Sequence, residues 1–135
     1  MIAHPSAAHL NGEKHRVLVV EDHWDAARGI ERLLSLFGYE VRVERDGLDA
    51  VQSAIAFRPH TVLIDLSLPT IDGYEVAERL REHEATRDCR LLAMTGWVDD
   101  AHYVRACAAG FDRHLAKPVT MEVLLDALTT VHAAA

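Results

Sequence analysis

Four short stretches of this 135-residue chain end in side chains that could do chemistry together. VLVVEDH runs into Glu21 and Asp22, TVLIDLS into Asp65, LLAMTG into Thr95, and HLAKPV holds Lys117. Three carboxylates, a hydroxyl and an ammonium make a set suited to phosphoryl binding with magnesium. Mg²⁺ wants oxygen ligands and is held by one or two carboxylates plus phosphate oxygens. Clustered carboxylates repel one another, which favours a divalent cation between them. A lysine offers a point charge to a phosphate, and a threonine hydroxyl can donate to one of its oxygens. No glycine-rich phosphate loop is present, so a nucleotide-binding reading has little support. Each residue also has a plainer role: Asp22 as a helix N-cap, Asp65 as a turn residue, Thr95 as a cap, Lys117 as a partner for any acid. Those roles lose force together, because four separate segments each end on a matched group.

Those four segments must be brought to one place. Residues 16–20 (RVLVV) and 61–65 (TVLID) read as strands buried on both faces, as in a parallel sheet. Shorter strands are expected at 40–44, 90–94 and 112–115. Between them the apolar period changes to that of a helix. Helices are expected at 24–37, 47–57, 74–84, 99–108 and 120–132, with Ala26, Ala27, Ile30, Leu33, Leu34 and Phe37 on the inner face of the first. Gly38 and Gly110 read as helix stops, and Leu68-Pro69 and Asp72-Gly73 as loop signals. Strand and helix alternate five times, which implies an α/β fold with a parallel sheet covered by helices on both faces. Every strand of such a sheet ends at one edge, where ligands bind. Glu21, Asp22, Asp65, Thr95 and Lys117 all fall at that edge.

Composition narrows the classes further. The chain is 50% hydrophobic and 26% charged, enough for one domain with a real core. Acids outnumber bases 21 to 14, giving a formal charge of -7 and no basic patch for nucleic acid. The apolar runs are too short to cross a bilayer. Residues 1–15 read as a flexible polar leader rather than a signal peptide, residues 16–132 as the domain, and 133–135 as a tail. Cys89 and Cys107 have no metal or redox spacing and suit a reduced, cytoplasmic setting. Cys107 reads as a small core residue of the fourth helix. The nine histidines are scattered, with no pair at strong metal-ligand spacing.

With VLVVEDHWDAA, VLIDLSLPTIDGYEVAERLR, LLAMTG and AAGFDRHLAKPV in this order, the chain resembles the receiver domain of two-component response regulators over about residues 16–132. The resemblance implies a flavodoxin-like, doubly wound fold with strand order 2-1-3-4-5. It implies that Asp65 is the phosphoacceptor, taking a phosphoryl group from a histidine kinase or histidine phosphotransfer protein. Glu21, Asp22, Asp65 and the backbone carbonyl of Ser67 would hold Mg²⁺. Thr95 would move onto the phosphoryl oxygen, Lys117 would pair with Asp65 or its phosphate, and the Lys117-Pro118 bond would be cis. The downstream protein target would meet the face formed by helix four, strand five and helix five. No nucleic-acid or membrane partner is implied. The expected function is a phosphoacceptor switch in a phosphorelay, not a dedicated enzyme.

Two positions depart from the family pattern. His114 stands where the family often has the Tyr or Phe of a rotating switch, so the relay is expected to be weakened. Trp97 lies over the site, where a large aromatic could tune water access to an aspartyl phosphate. Two other functions compete. One is a phosphorylation-independent binding module on the receiver fold, against which the complete acid, threonine and lysine set argues. The other is a magnesium-dependent phosphohydrolase, but Ser67 stands where such enzymes usually carry a second acid. The chain reads as a stand-alone receiver or as one from a larger hybrid kinase.

Overall fold

Val17, Leu18, Val19 and Val20 are fully buried, as are Val62, Leu63 and Ile64. These two runs form the centre of a sheet seen in a computed structural model that describes residues 9–10, 12–96 and 99–129. Its strands are β1 (Arg16–Val20), β2 (Glu40–Glu44), β3 (Thr61–Asp65), β4 (Arg90–Thr95) and β5 (Arg113–Ala116). All neighbours pair in parallel, in the order β2-β1-β3-β4-β5. The helices are α1 (Trp24–Leu36), α2 (Gly47–Phe57), α3 (Gly73–Glu82), α4 (Asp100–Ala109) and α5 (Met121–Thr129). The expected doubly wound fold and its strand order are therefore present.

Strand alternation divides the core into two layers. Leu18, Val20, Val62, Ile64, Leu91 and Ala93 point to one face, where α2, α3 and α4 bring Ala50, Ala54, Val76, Leu80 and Ala106. Val17, Val19, Leu63, Leu92 and Met94 point to the other, under Leu34 of α1 and Leu124 and Leu128 of α5. Each buried aliphatic side chain contributes roughly 1.5–3 kcal/mol relative to exposure. A shift of one residue would turn each strand inside out, so the register is strongly specified. That register brings the ends of β1, β3 and β4 to the same edge.

Local signals set the helix ends. Asp46, Asp72 and Asp99 cap α2, α3 and α4, each accepting from backbone N–H groups in the first turn. Gly110 ends α4 with φ +107°, a left-handed conformation, and a Cβ there would stand 2.8 Å from Arg81 Cγ. Arg81 fills that space, donating twice to the Gly110 carbonyl and once each to those of Arg87 and Cys89.

Four details differ from the expectations. His15, assigned to the leader, is fully buried, and its Nε2 lies 2.8 Å from Thr61 Oγ1. Ahead of it, His9–Leu10 and Glu13–Lys14 pair as a small antiparallel hairpin. Cys107 is exposed instead of buried. Helix α4 turns Ala106 and Ala109 inward, and Cys107 is rotated off that face by about 100° from Ala106. Ile30 and Leu33 of α1 are only half covered and Ala26 is exposed, because Ala27 and Leu34 alone meet the sheet squarely. Trp97 lies outside the described residues. Among those residues, no helix is long and apolar enough to cross a membrane.

Candidate functional site

The site occupies the carboxyl-terminal edge of the sheet, where the strand order reverses between β1 and β3. Glu21 follows β1 directly, and its N–H donates to the Glu44 carbonyl at 3.0 Å. Asp65 is the last residue of β3 and Thr95 the last of β4. Lys117 follows β5, its N–H donating to the Thr95 carbonyl at 2.8 Å. The Lys117-Pro118 peptide is cis. Glu21, Asp65 and Thr95 are each 2% exposed, so their polar atoms must find partners inside the protein.

Asp65 is held from two sides. Its Oδ2 accepts from Lys117 Nζ at 2.8 Å, and its Oδ1 accepts from the Ser67 N–H at 2.9 Å. Glu21 stands across from it, with Oε1 3.6 Å from Lys117 Nζ and Oε2 accepting from the His23 N–H at 3.1 Å. Lys117 therefore bridges two buried carboxylates, while its own side chain remains about one third exposed. Beneath them Gly73 packs so closely that a Cβ there would stand 2.7 Å from the Asp65 carbonyl oxygen.

The charges follow from these contacts. Burial raises the pKa of Asp65, but the hydrogen bonds from Lys117 and Ser67 outweigh it and hold the carboxyl below its ordinary value. Burial pushes the Glu21 carboxyl up, and the neighbouring Asp65 adds to that. Of the two acids, Asp65 therefore gives up its proton first and Glu21 keeps one longer. Burial opposes the Lys117 ammonium, yet Asp65 and Glu21 together hold its pKa above the ordinary lysine value. The pocket thus contains an ionised Asp65, firmly fixed in orientation and paired with a cation.

Asp22 is turned toward solvent, with its side chain 36% exposed. Its carbonyl accepts from Arg45 Nε and Nη2 at 3.3 and 3.2 Å. His23, not Asp22, stands at the N-cap of α1, and no side chain caps that helix. The plain role as a helix cap therefore does not account for Asp22. Three acids sit with one lysine at this edge, an excess of negative charge rich in oxygen donors. That donor set fits a hard divalent cation.

Ser67 is exposed just past Asp65, and His114 is half-buried on β5. The His114 ring tilts at 53° against that of Tyr103 on α4, with centroids 5.2 Å apart. One neighbour escaped the sequence reading. Glu21, Asp22 and His23 offer three potential ligand atoms within 4.8 Å of one another. The signal is their adjacency in the chain, Glu21-Asp22-His23, which holds one histidine and no histidine pair. Beside the site, Ala26, Ile30 and Leu33 of α1 face Pro118, Val119 and Leu124 across a groove of about 580 Å³ that also touches Glu21 and Lys117.

A five-stranded doubly wound domain with buried acids and a lysine at its switch point is the architecture of a signal receiver. The chain belongs to the response regulator receiver domain family, whose model matches residues 17–129. It is 36% identical over 110 residues to the transcriptional regulatory protein PrrA of Mycobacterium tuberculosis, covering 82% of this chain and 46% of that protein. The chain thus spans about half the length of the curated relatives it matches. Among solved structures it resembles the receiver domain of a sensor histidine kinase from Pseudomonas aeruginosa, which has a magnesium ion coordinated in its active-site cleft. That match has a TM-score of 0.78 and 32% identity over 84% of this chain and 93% of the other. The chemotaxis protein CheY4 of Vibrio cholerae matches with a TM-score of 0.83 and 27% identity, over 86% of this chain and 97% of that one.

Proposed function

We propose that this receiver accepts a phosphoryl group on Asp65 from the phosphohistidine of a histidine kinase or histidine phosphotransfer protein, in a magnesium-dependent reaction. The observation that carries this reading is the fixed, ionised carboxylate of Asp65 between Lys117 and the Ser67 N–H. A carboxylate oxygen attacks the phosphorus, the new O–P bond forms, and the donor's P–N bond breaks with the imidazole as leaving group. The protein contributes positioning and charge, which dominate phosphoryl transfer. Glu21, Asp22, Asp65 and the Ser67 carbonyl are the residues to hold Mg²⁺, which supplies positive charge to the phosphoryl oxygens. Lys117 exchanges its bond to Asp65 for one to the phosphate.

Phosphorylation adds charge and acceptor oxygens beside Thr95. The Thr95 hydroxyl turns toward them, and its backbone bond to Lys117 ties that movement to the start of the β5–α5 connection. The output face is α4-β5-α5, where Tyr103, Val104, Met121 and Val123 are exposed. His114 adjoins Tyr103 on this face and serves as the switch residue, with a smaller ring than the phenol it replaces. The donor approaches over the groove between α1 and α5, which leads to Lys117. The chain acts as a cytoplasmic phosphoacceptor and signals by protein contacts, not as a dedicated enzyme. With a formal charge of -7, nucleic acid and membrane are not part of this reading.

The test is incubation with Mg²⁺ and acetyl phosphate, read by intact mass, beside Asp65→Asn. One added phosphoryl group on the wild type and none on the variant is expected. No uptake by the wild type refutes the reading and favours a phosphorylation-independent binding module. Uptake by Asp65→Asn places the acceptor elsewhere.

A further inference from the structure

We propose that His23 makes the acidic pocket a mixed nitrogen–oxygen site that binds a borderline transition-metal dication, such as Co²⁺ or Zn²⁺, through Glu21, Asp22 and the His23 imidazole. The inference rests on the reading of Glu21 and Asp22 as cation ligands and adds a selectivity to it. The backbone N–H of His23 donates to Glu21 Oε2 at 3.1 Å, which anchors the histidine beside the buried carboxylate. Its Nδ1 then lies 3.8 Å from Glu21 Oε2 and 3.9 Å from Asp22 Oδ1. Two ligands each about 2.1 Å from one ion are at most about 4.2 Å apart, and about 3.4 Å apart in a tetrahedron. Both histidine separations fall inside that limit, and the three ligand atoms all lie within 4.8 Å of one another, so side-chain rotations that draw the carboxylates together bring one ion into reach of all three. The outer side of the imidazole is open, since His23's side chain is 81% exposed. Water or phosphate oxygens can therefore complete the coordination.

The chemistry of the donors sets the preference. Mg²⁺ takes oxygen and keeps several waters, whereas imidazole suits Zn²⁺, Co²⁺, Ni²⁺ and Cu²⁺. Any oxygen site binds the later metals somewhat more tightly, so total affinity does not report on the histidine. What reports on it is the ratio of transition-metal to magnesium affinity. Removing an imidazole ligand lowers that ratio and leaves the oxygen donors in place. A receiver built this way responds to the kind of divalent cation present.

The experiment titrates the full chain with Mg²⁺ and with Co²⁺ by calorimetry, and records the visible absorption of bound Co²⁺. Wild type, His23→Ala and Asp22→Ala are compared. The Co²⁺-to-Mg²⁺ affinity ratio is expected to fall about tenfold or more in His23→Ala, with a shift in the Co²⁺ spectrum. Asp22→Ala should weaken both cations. An unchanged ratio and spectrum in His23→Ala overturns the inference and leaves His23 as a polar neighbour of the two acids. Co²⁺ binding that is unchanged in both His23→Ala and Asp22→Ala also overturns it, because the ion then sits on other side chains. Co²⁺ binding that depends on His23 and Asp22 in a wild type that does not bind Mg²⁺ supports the inference and refutes the magnesium reading instead.

Discussion

Replacing Lys117 with Met keeps most of the side chain's length and removes its charge. In the wild type that ammonium holds Asp65 at 2.8 Å and faces Glu21 at 3.6 Å. A hydrogen bond to a charged group contributes roughly 1.5–3 kcal/mol. Lys117's side chain is 35% exposed, which places the loss toward the lower end, about 2 kcal/mol. The loss should depend on pH, and its sign follows from the two carboxyls. Lys117 helps hold the Asp65 carboxyl below its ordinary value, so that group's stabilisation is complete above the usual carboxylate pKa and lost only as pH falls through the lowered one. In Lys117→Met only the Ser67 N–H still opposes burial, so the Asp65 carboxyl moves up toward that of Glu21. Two raised carboxyls stabilise the fold below their unfolded pKa values and lose that stability as pH rises through the folded ones. Urea unfolding without divalent cations should therefore show the full loss of about 2 kcal/mol at pH 8 and a smaller loss at pH 5. Mg²⁺ at pH 8 should restore more stability to the variant than it adds to the wild type, since a cation returns to the same carboxylates. An equal loss at both pH values would refute the electrostatic account and leave Lys117 a packing role.

Three further outcomes are expected. Gly73→Ala forces a Cβ to within 2.7 Å of the Asp65 carbonyl oxygen, so it should cost about 1–3 kcal/mol in urea unfolding and slow phosphorylation by acetyl phosphate; a neutral effect on both would show that the loop yields freely. His15→Ala removes a buried ring and strands the Thr61 hydroxyl, for a loss of about 3 kcal/mol in the same unfolding assay, and a loss under about 1 kcal/mol would mean that residue 15 is not part of the core. Burial raises the Cys89 thiol to about 11, so at pH 8 a thiol reagent should modify exposed Cys107 quickly and Cys89 only after unfolding. Two equally fast thiols in the native protein would contradict that difference.

Much of this molecule was legible in the residue pattern because the constraints are local or periodic. The β-branched runs at 16–20 and 61–65 can be satisfied only by burial on both faces, and the Asp72-Gly73 loop signal and the Gly110 helix stop act within one turn of themselves. The convergence of Glu21, Asp65, Thr95 and Lys117 on one edge follows once every strand is parallel. Cys107 and His15 were misjudged for the same reason. A side chain's period along its own helix does not reveal where the neighbouring elements stop, and Tyr39, His60 and Thr61 meet His15 from remote parts of the chain. The half-open face of α1, with Ile30 and Leu33 lining a groove, has that origin too.

The sequence by itself determined the fold class, the family, and which side chains meet at the sheet edge, since alternation and strand ends are properties of order along the chain. Only the tertiary structure decided how those side chains divide their charges. Whether Lys117 reaches both carboxylates, whether Asp22 caps a helix, and whether the His23 imidazole lies against the acids all depend on distances of a few ångströms. Electrostatic and coordination energies change steeply over such distances, and the order of residues does not specify them.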